Sequence, residues 1–232
     1  ILWKINGVLK GLYSPKILDT YQSERRPHVA RITRGAIKMG GVINAKSKFK
    51  AFIRNALLRT QGYLRGKENI FPVLNGNRLG PGVHKMPKIK NVSIERYYFN
   101  EINVRLHDGR ILSTDNVLDK NFGIILNNFE GKKNISEDIL ELLKSHNFKI
   151  INITPNYDRS NYEGYIACEE IHRDLQIYCE KFDCSGVILR PDKYVFDLFK
   201  FNKSDSLEII INNVLLNIRE KIEFNWNTFI KE

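Results

Sequence analysis

The sequence is poor in cysteine, histidine and long apolar runs. Its three cysteines, Cys168, Cys179 and Cys184, are too few and too odd in number for a disulfide scaffold. Four residues separate Cys179 from Cys184, which is not the Cys-x-x-Cys spacing of a dithiol oxidoreductase, so buried, inert thiols are expected. No apolar run approaches the ~18–20 residues that a membrane-spanning helix needs, and no transmembrane segment is expected. No secretory signal opens the chain, and with so little cysteine a reduced, cytoplasmic setting is the simplest reading. His28, His84, His107 and His146 show no ligand spacing. Glu169-x-x-His172 has the spacing of a di-iron ligand pair, but such a site takes further carboxylates from facing helices. A surface pair is expected there, and no metal site.

Acidic residues are scarce in one half only. Residues 1–90 carry 19 Lys/Arg and 3 Asp/Glu, whereas residues 91–232 carry 18 and 23, for a formal net charge of +11. Such a swing points to two regions with different surroundings. The chain of 232 residues is 42% hydrophobic and 27% charged, which excludes disordered and collagen-like classes and suits one or two domains. The Gly/Pro/Asn-rich stretch from Pro72 to Pro87 hosts neither a long helix nor a central strand. The expected domains are therefore a helical segment at 1–86, linker included, and a mixed α/β domain at 87–232.

In the first region Leu2, Ile5, Val8 and Leu9 recur at helical spacing, and Gly11 closes the helix in a left-handed conformation. A helix that opens on its apolar face without a cap looks cut from something longer. Ser14-Pro15 starts the next turn, with Pro at the first helical position. Ile17, Leu18 and Tyr21 follow on one face, and Pro27 is expected to break or restart the helix. Residues 47–65 form a basic amphipathic helix with Phe49, Phe52, Ile53, Ala56, Leu57 and Leu64 as its stripe, expected to pack on the protein's own core. A membrane surface or a partner is the alternative.

In the second region Val104–Leu106 and Ile111-Leu112 flank Asp108-Gly109, a hairpin signal. Phe122–Leu126 and Phe148–Ile153 are short apolar runs of buried-strand type, with a helix capped by Ser136 between them. A helix at 169–182, strands at 187–189 and 194–196, and a helix at 207–222 complete the order β-α-β-α-β-β-α. That is the order of a thioredoxin-like domain.

Two segments resemble a known family. WKINGVLKG and ILDTYQSERRPHVARITRGAIKMGGVI are similar to the end of the flavin domain of FAD-dependent aromatic hydroxylases, nearest the phenol hydroxylase and hydroxyphenylpropionate hydroxylase group. Trp3, Lys4, Leu18, Asp19, Tyr21, Glu24, Arg25, Arg26, Pro27 and His28 carry that match. Ile1, Ile5 and Ile17 stand where the family pattern has Leu. Far downstream, GVILRPDKYVFD resembles the signature of the family's C-terminal thioredoxin-like domain through Arg190, Pro191, Asp192, Tyr194 and Val195, with Leu189 in place of a Val.

The resemblance implies an α/β chain, an N-terminal helical remnant of the flavin and substrate domain followed by a thioredoxin-like domain. It also implies hydroxylation of a phenolic ring with FAD, NAD(P)H and oxygen. The family binds FAD through Gly-x-Gly-x-x-Gly in a Rossmann-type half. That pattern is absent here, and GNRLGPG (76–82) follows no strand and opens no helix. The chain thus resembles the C-terminal part of a hydroxylase, whether a truncated gene product, half of a split gene or an expressed fragment. No catalytic, cofactor-binding or metal residue is expected on it, and FAD binding by it alone is not expected. Its partner is then the missing N-terminal FAD-binding half or a second copy of itself. The alternative function is a non-catalytic interaction or dimerisation module. A nucleic-acid binder ranks last, because no aromatic residues interleave with the basic ones in a stacking motif.

Overall fold

The structure, a computed structural model, describes residues 1–44, 47–65, 79–83, 97–131, 135–155, 165–202, 204–219 and 222. It contains two compact units, one of Ile1–Tyr21 with Val83–Glu232 and one of Gln22–Gly82. The sequence boundary at 86/87 and these divisions differ by where the first helix belongs: Leu2–Leu9 (α1) is part of the sheet unit. His84 and most of the 72–87 stretch lie outside the described residues.

The sheet unit is built on seven strands: β1 Asn103–Arg105, β2 Ile111–Ser113, β3 Phe122–Asn127, β4 Phe148–Ile153, β5 Tyr165–Glu170, β6 Gly186–Leu189 and β7 Val195–Phe199. Their order is β2-β1-β5-β4-β3-β6-β7. β3, β4 and β5 are parallel, β6 runs antiparallel to β3, and β7 runs antiparallel to β6. The block β4-β3-β6-β7, with α5 (Glu137–Ser145) between β3 and β4, α6 (Asp174–Phe182) before β6 and α7 (Leu207–Arg219) after β7, is the thioredoxin arrangement. β5 and the β1-β2 hairpin extend it on the β4 side, and a short helix, α4 (Thr114–Leu118), follows β2.

The strands are apolar on both faces because both are covered. One face buries Phe122, Ile124, Leu126, Ile150 and Ile188 against Ile210, Ile211, Val214 and Ile218 of α7. The other buries Ile125, Ile151, Ile153, Val187 and Leu189 with Leu175 and Cys179 of α6. The hairpin turns at Gly109, whose φ of 84° suits glycine.

Two elements differ from the sequence reading. The helix expected from 169 begins at Asp174, because Glu169 and Glu170 end β5 and pair with Arg105 and Val104 of β1. Strand pairing overrides the helical preference of a Glu-Glu pair.

Pro27 does not break its helix. Helix α2 runs Thr20–Ile43 with Pro27 inside, and the reason lies in the second unit. A helical proline lacks an N–H and crowds the carbonyl four residues back. That carbonyl is Ser23, and the short segment Leu79–Gly82 lies against the same turn, with Gly80 N–H donating to the adjacent Glu24 carbonyl at 2.7 Å. Gly80 has no room for a Cβ, which would meet the Ser23 carbonyl at 2.1 Å. Gly82 is as tight, with a Cβ falling 2.2 Å from Glu24 Cγ.

Helix α3, Lys48–Arg65, forms where its periodicity placed it. Its stripe is not covered, which corrects the expectation that it packs on the chain's own core: Phe49 and Phe52 are each 72% exposed, and Ile53, Ala56 and Leu57 are exposed as well. Val29, Ile32 and Ile37 of α2 are also exposed. Two helices and a short strap supply too little surface to bury both faces. The side chain of Leu64 lies outside the described residues.

Candidate functional site

The two family-like segments meet in the sheet unit. Helix α1 ends as its Gly11 required: Gly11 has a φ of 69°, Leu12 N–H donates to the Gly7 carbonyl at 2.8 Å, and Gly11 N–H to Val8 at 3.0 Å. This Schellman closure returns the chain so that Tyr13 packs over Gly7, where a Cβ would lie 2.0 Å from its ring. Trp3 then stands edge-on to both Tyr13 (5.8 Å) and Phe122 (5.5 Å).

Arg190, Pro191, Asp192 and Lys193 form the β6-β7 turn. Lys193 N–H donates to the Arg190 carbonyl at 2.9 Å, Arg190 N–H to Tyr194 at 2.9 Å, and Lys193 is left-handed with a φ of 63°. This is a type I turn with Pro at its second position, followed by a left-handed residue, a standard three-residue hairpin loop. It folds the Asp192 carboxylate back onto Arg190, which grips it bidentately, Nε to Oδ1 at 2.9 Å and Nη2 to Oδ2 at 2.7 Å. The remaining arm of Arg190 donates to the Val83 carbonyl at 3.1 Å. Trp3 Nε1 donates to Asp192 Oδ2 at 3.1 Å, across 189 positions of sequence.

The charges are enclosed. Arg190 is 1% exposed and lies 5.3 Å from the Trp3 ring and 5.9 Å from the Tyr194 ring. Lys4, also buried, lies 5.6 Å from the Trp3 ring and donates to Thr20 Oγ1 at 2.5 Å. Burial alone pushes the Asp192 carboxyl up, but the charge and hydrogen bonds of Arg190, then Trp3 and Lys4, outweigh it and hold it below the ordinary carboxylate value. The arrangement holds α1 against the turn. A cavity of about 570 Å³ beside it is lined by Trp3, Tyr13, Phe122, Lys120, Asn147 and Asp192, among others.

Four helix N-termini of the sheet unit do not suit the pyrophosphate of FAD. A helix N-terminus holds such a group with free backbone N–H groups and no competing carboxylate. α4, α5, α6 and α7 carry Asp115, Glu137 with Asp138, Asp174 and Glu208 in their first turns. At α6 the Glu170 carboxylate already accepts from Leu175 N–H. No step is therefore derived through FAD on this unit.

The minor sequence signals are also placed. Glu169 pairs with Arg105 at 2.8 Å on the surface and His172 is exposed. Arg105→Ala is expected to change stability by no more than about 0.5 kcal/mol in urea denaturation, as exposed pairs do. Among the described residues no three His, Cys, Asp or Glu side chains converge as metal ligands. Glu24 and His28 are buried while Arg26 is exposed. No described helix is long and apolar enough to cross a membrane. The contact of Trp3 with Asp192 is what sequence reasoning missed; the only signal was that both segments belong to one family pattern.

The strand order and covering helices define the sheet unit as a thioredoxin-like α/β domain. Two solved structures share the fold: aklavinone-11 hydroxylase in its ternary complex with FAD and aklavinone (12% identical, TM-score 0.56, 95% of this chain and 38% of that one), and BexE, studied for oxidation during BE-7585A biosynthesis (15% identical, TM-score 0.57, 94% and 38%). Residues 97–208 match the HcaD C-terminal domain. The 3-(3-hydroxy-phenyl)propionate/3-hydroxycinnamic acid hydroxylase of Escherichia coli (strain K12) is 20% identical over 203 residues, 84% of this chain and 36% of the relative. Residues 97–208 thus match a hydroxylase-type C-terminal domain, and the chain is similar to the C-terminal portion of these hydroxylases. It spans about a third of the length of the curated relatives it matches.

Proposed function

We propose that this chain is the C-terminal part of a monooxygenase that hydroxylates a phenolic or aromatic substrate with FAD, NAD(P)H and oxygen. On this reading it is inactive without an FAD-binding half, supplied by upstream sequence or by a separate chain. The observation that carries the reading is the junction of Trp3 with Arg190 and Asp192. It joins the helix that resembles the end of a flavin domain to the turn that resembles the C-terminal signature. The protein's part is to anchor that helix; the flavin, when bound by the other half, supplies the oxygen chemistry. The exposed stripe of α3 supports a covering partner, since contiguous exposed apolar faces mark contact surfaces.

The purified chain is expected to carry no flavin absorbance and to oxidise no NAD(P)H. Addition of an FAD-binding half from a relative is expected to bring phenol-dependent NAD(P)H oxidation. A yellow preparation with stoichiometric FAD overturns the reading.

The same stripe favours a second reading, a non-catalytic module that self-associates. Sedimentation separates the two: a dimer dissociated by Phe52→Ser, with no response to an FAD-binding half, selects the module.

A further inference from the structure

We infer that Cys179 and Cys184 form a peroxide-responsive thiol pair that closes to a disulfide. The inference is independent of the hydroxylase reading.

Helix α6 ends at Phe182, and Asp183 takes a left-handed conformation with a φ of 52°. Cys184 N–H then donates to the Cys179 carbonyl at 3.1 Å. This is the six-to-one bond of a Schellman closure, in which the side chains of its first and last residues come into contact. Here both are cysteines. A direct main-chain bond keeps the two Cα atoms about as close as a disulfide requires, roughly 4.4–6.8 Å. The four intervening residues, which argue against a redox pair when read as linear spacing, are what the helix closure needs to bring the thiols together.

The environments of the two thiols divide the labour. Cys179 is 3% exposed in the core under the sheet, whereas Cys184 is only partly buried. Both line a surface cavity of about 380 Å³ with Asn127, Glu180, Asp183 and Lys200. The hydrogen bond from Cys179 lowers the Cys184 thiol below its ordinary value against the effect of burial, and Lys200 adds to it while Asp183 opposes. The same bond raises Cys179, with burial behind it. Lys200 is itself paired with Asp183 at 2.6 Å. Cys184, the more accessible thiol, is thus the member that meets the oxidant, and the buried Cys179 the resolving member.

The oxidant is hydrogen peroxide or another two-electron peroxide. The Cys184 thiolate attacks one peroxide oxygen, the O–O bond breaks, and the departing hydroxide takes a proton to become water. Cys184 is left as a sulfenic acid. The Cys179 sulfur then attacks the Cys184 sulfur, the S–S bond forms, the S–O bond breaks, and the hydroxide leaves with the proton from Cys179 as a second water. Two thiols lose two electrons and the peroxide gains them.

The test treats the intact chain with a small excess of hydrogen peroxide, followed by alkylation and tryptic mass mapping. Trypsin cuts after Lys181, between the two cysteines, so the disulfide joins peptides 174–181 and 182–193. The expected result is that linked pair, within one chain and reversed by dithiothreitol, with Cys168 still free to alkylate after unfolding. In Cys179→Ala the sulfenic acid is expected to persist and to take a dimedone adduct on Cys184; in Cys184→Ser neither cysteine pairs. The wild-type mapping needs no variant to fold. Cys184 remaining fully alkylatable after peroxide, a link between two chains, or an adduct confined to Cys168 overturns the inference.

Discussion

Asp192→Ala is expected to lower the melting temperature by roughly 6–12 °C, corresponding to about 3 kcal/mol for a chain of this size. The substitution leaves the Arg190 guanidinium, 1% exposed, without its carboxylate and releases Trp3 Nε1 at the same time. An uncompensated buried charge, not the lost attraction, dominates the cost. The low end of the range for breaking buried pairs applies because the Asp192 side chain keeps 30% exposure. Arg190→Lys is expected to be destabilising too, since an ammonium cannot hold both carboxylate oxygens and the Val83 carbonyl. Pairing Asp192→Leu with Arg190→Met is expected to cost much less than the two single losses together. A thermal scan in which Asp192→Ala melts within 2 °C of wild type, about the shift of a fraction of a kcal/mol, defeats this account.

The pH dependence has a defined sign. Asp192 titrates below the ordinary carboxylate value in the folded chain, so the unfolded chain binds its proton more readily. The stabilisation is therefore complete above about pH 4, where an unfolded aspartate is ionised. It is lost as pH falls through the lowered folded value. Urea midpoints measured between neutral pH and pH 3 are expected to fall less in Asp192→Asn than in wild type.

Gly80→Ala is expected to destabilise the Gln22–Gly82 unit by about 2–3 kcal/mol, the upper part of the range for overpacking. The added methyl would lie 2.1 Å from the Ser23 carbonyl, a backbone atom that has no rotamer to move. Relief requires the strap to lift, which gives up the Gly80 bond to Glu24 and exposes Leu79, now 2% exposed. Hydrogen exchange is the direct readout. Amides of α2 around Pro27 are expected to lose protection, while those of β3 and β4 stay unchanged. Equal loss in both units, or none in α2, contradicts the assignment of Gly80 as the clasp on the proline.

Local signals were legible wherever one residue decided the outcome. Gly11 announced the end of α1, Asp108-Gly109 the hairpin turn, and the apolar runs of β3 and β4 a doubly covered sheet. The exact start of α6 was not, because Glu169-Glu170 reads as a first helical turn unless β1 is known to lie beside it. Pro27 misled for a related reason: the segment that packs on its turn, bonding the Glu24 carbonyl, sits more than 50 positions later at Gly80. The stripe of α3 was visible, but its exposure depends on how much other surface the unit possesses, which periodicity does not contain. Each half of the Trp3–Asp192 junction was recognisable by itself. Their contact was not, since nothing in a local pattern measures a distance across 189 residues.

That span sets an order of events as the chain is made. Helix α1 leaves the ribosome well before its anchor, since Asp192 lies 189 positions after Trp3. At roughly 5–20 residues per second, α1 waits on the order of ten seconds or more with Trp3 unsatisfied. Gln22–Gly82 lies wholly inside that interval. The inserted unit is therefore free to fold ahead of the unit that brackets it, and helix α1, made before both, is among the last elements of its unit to settle.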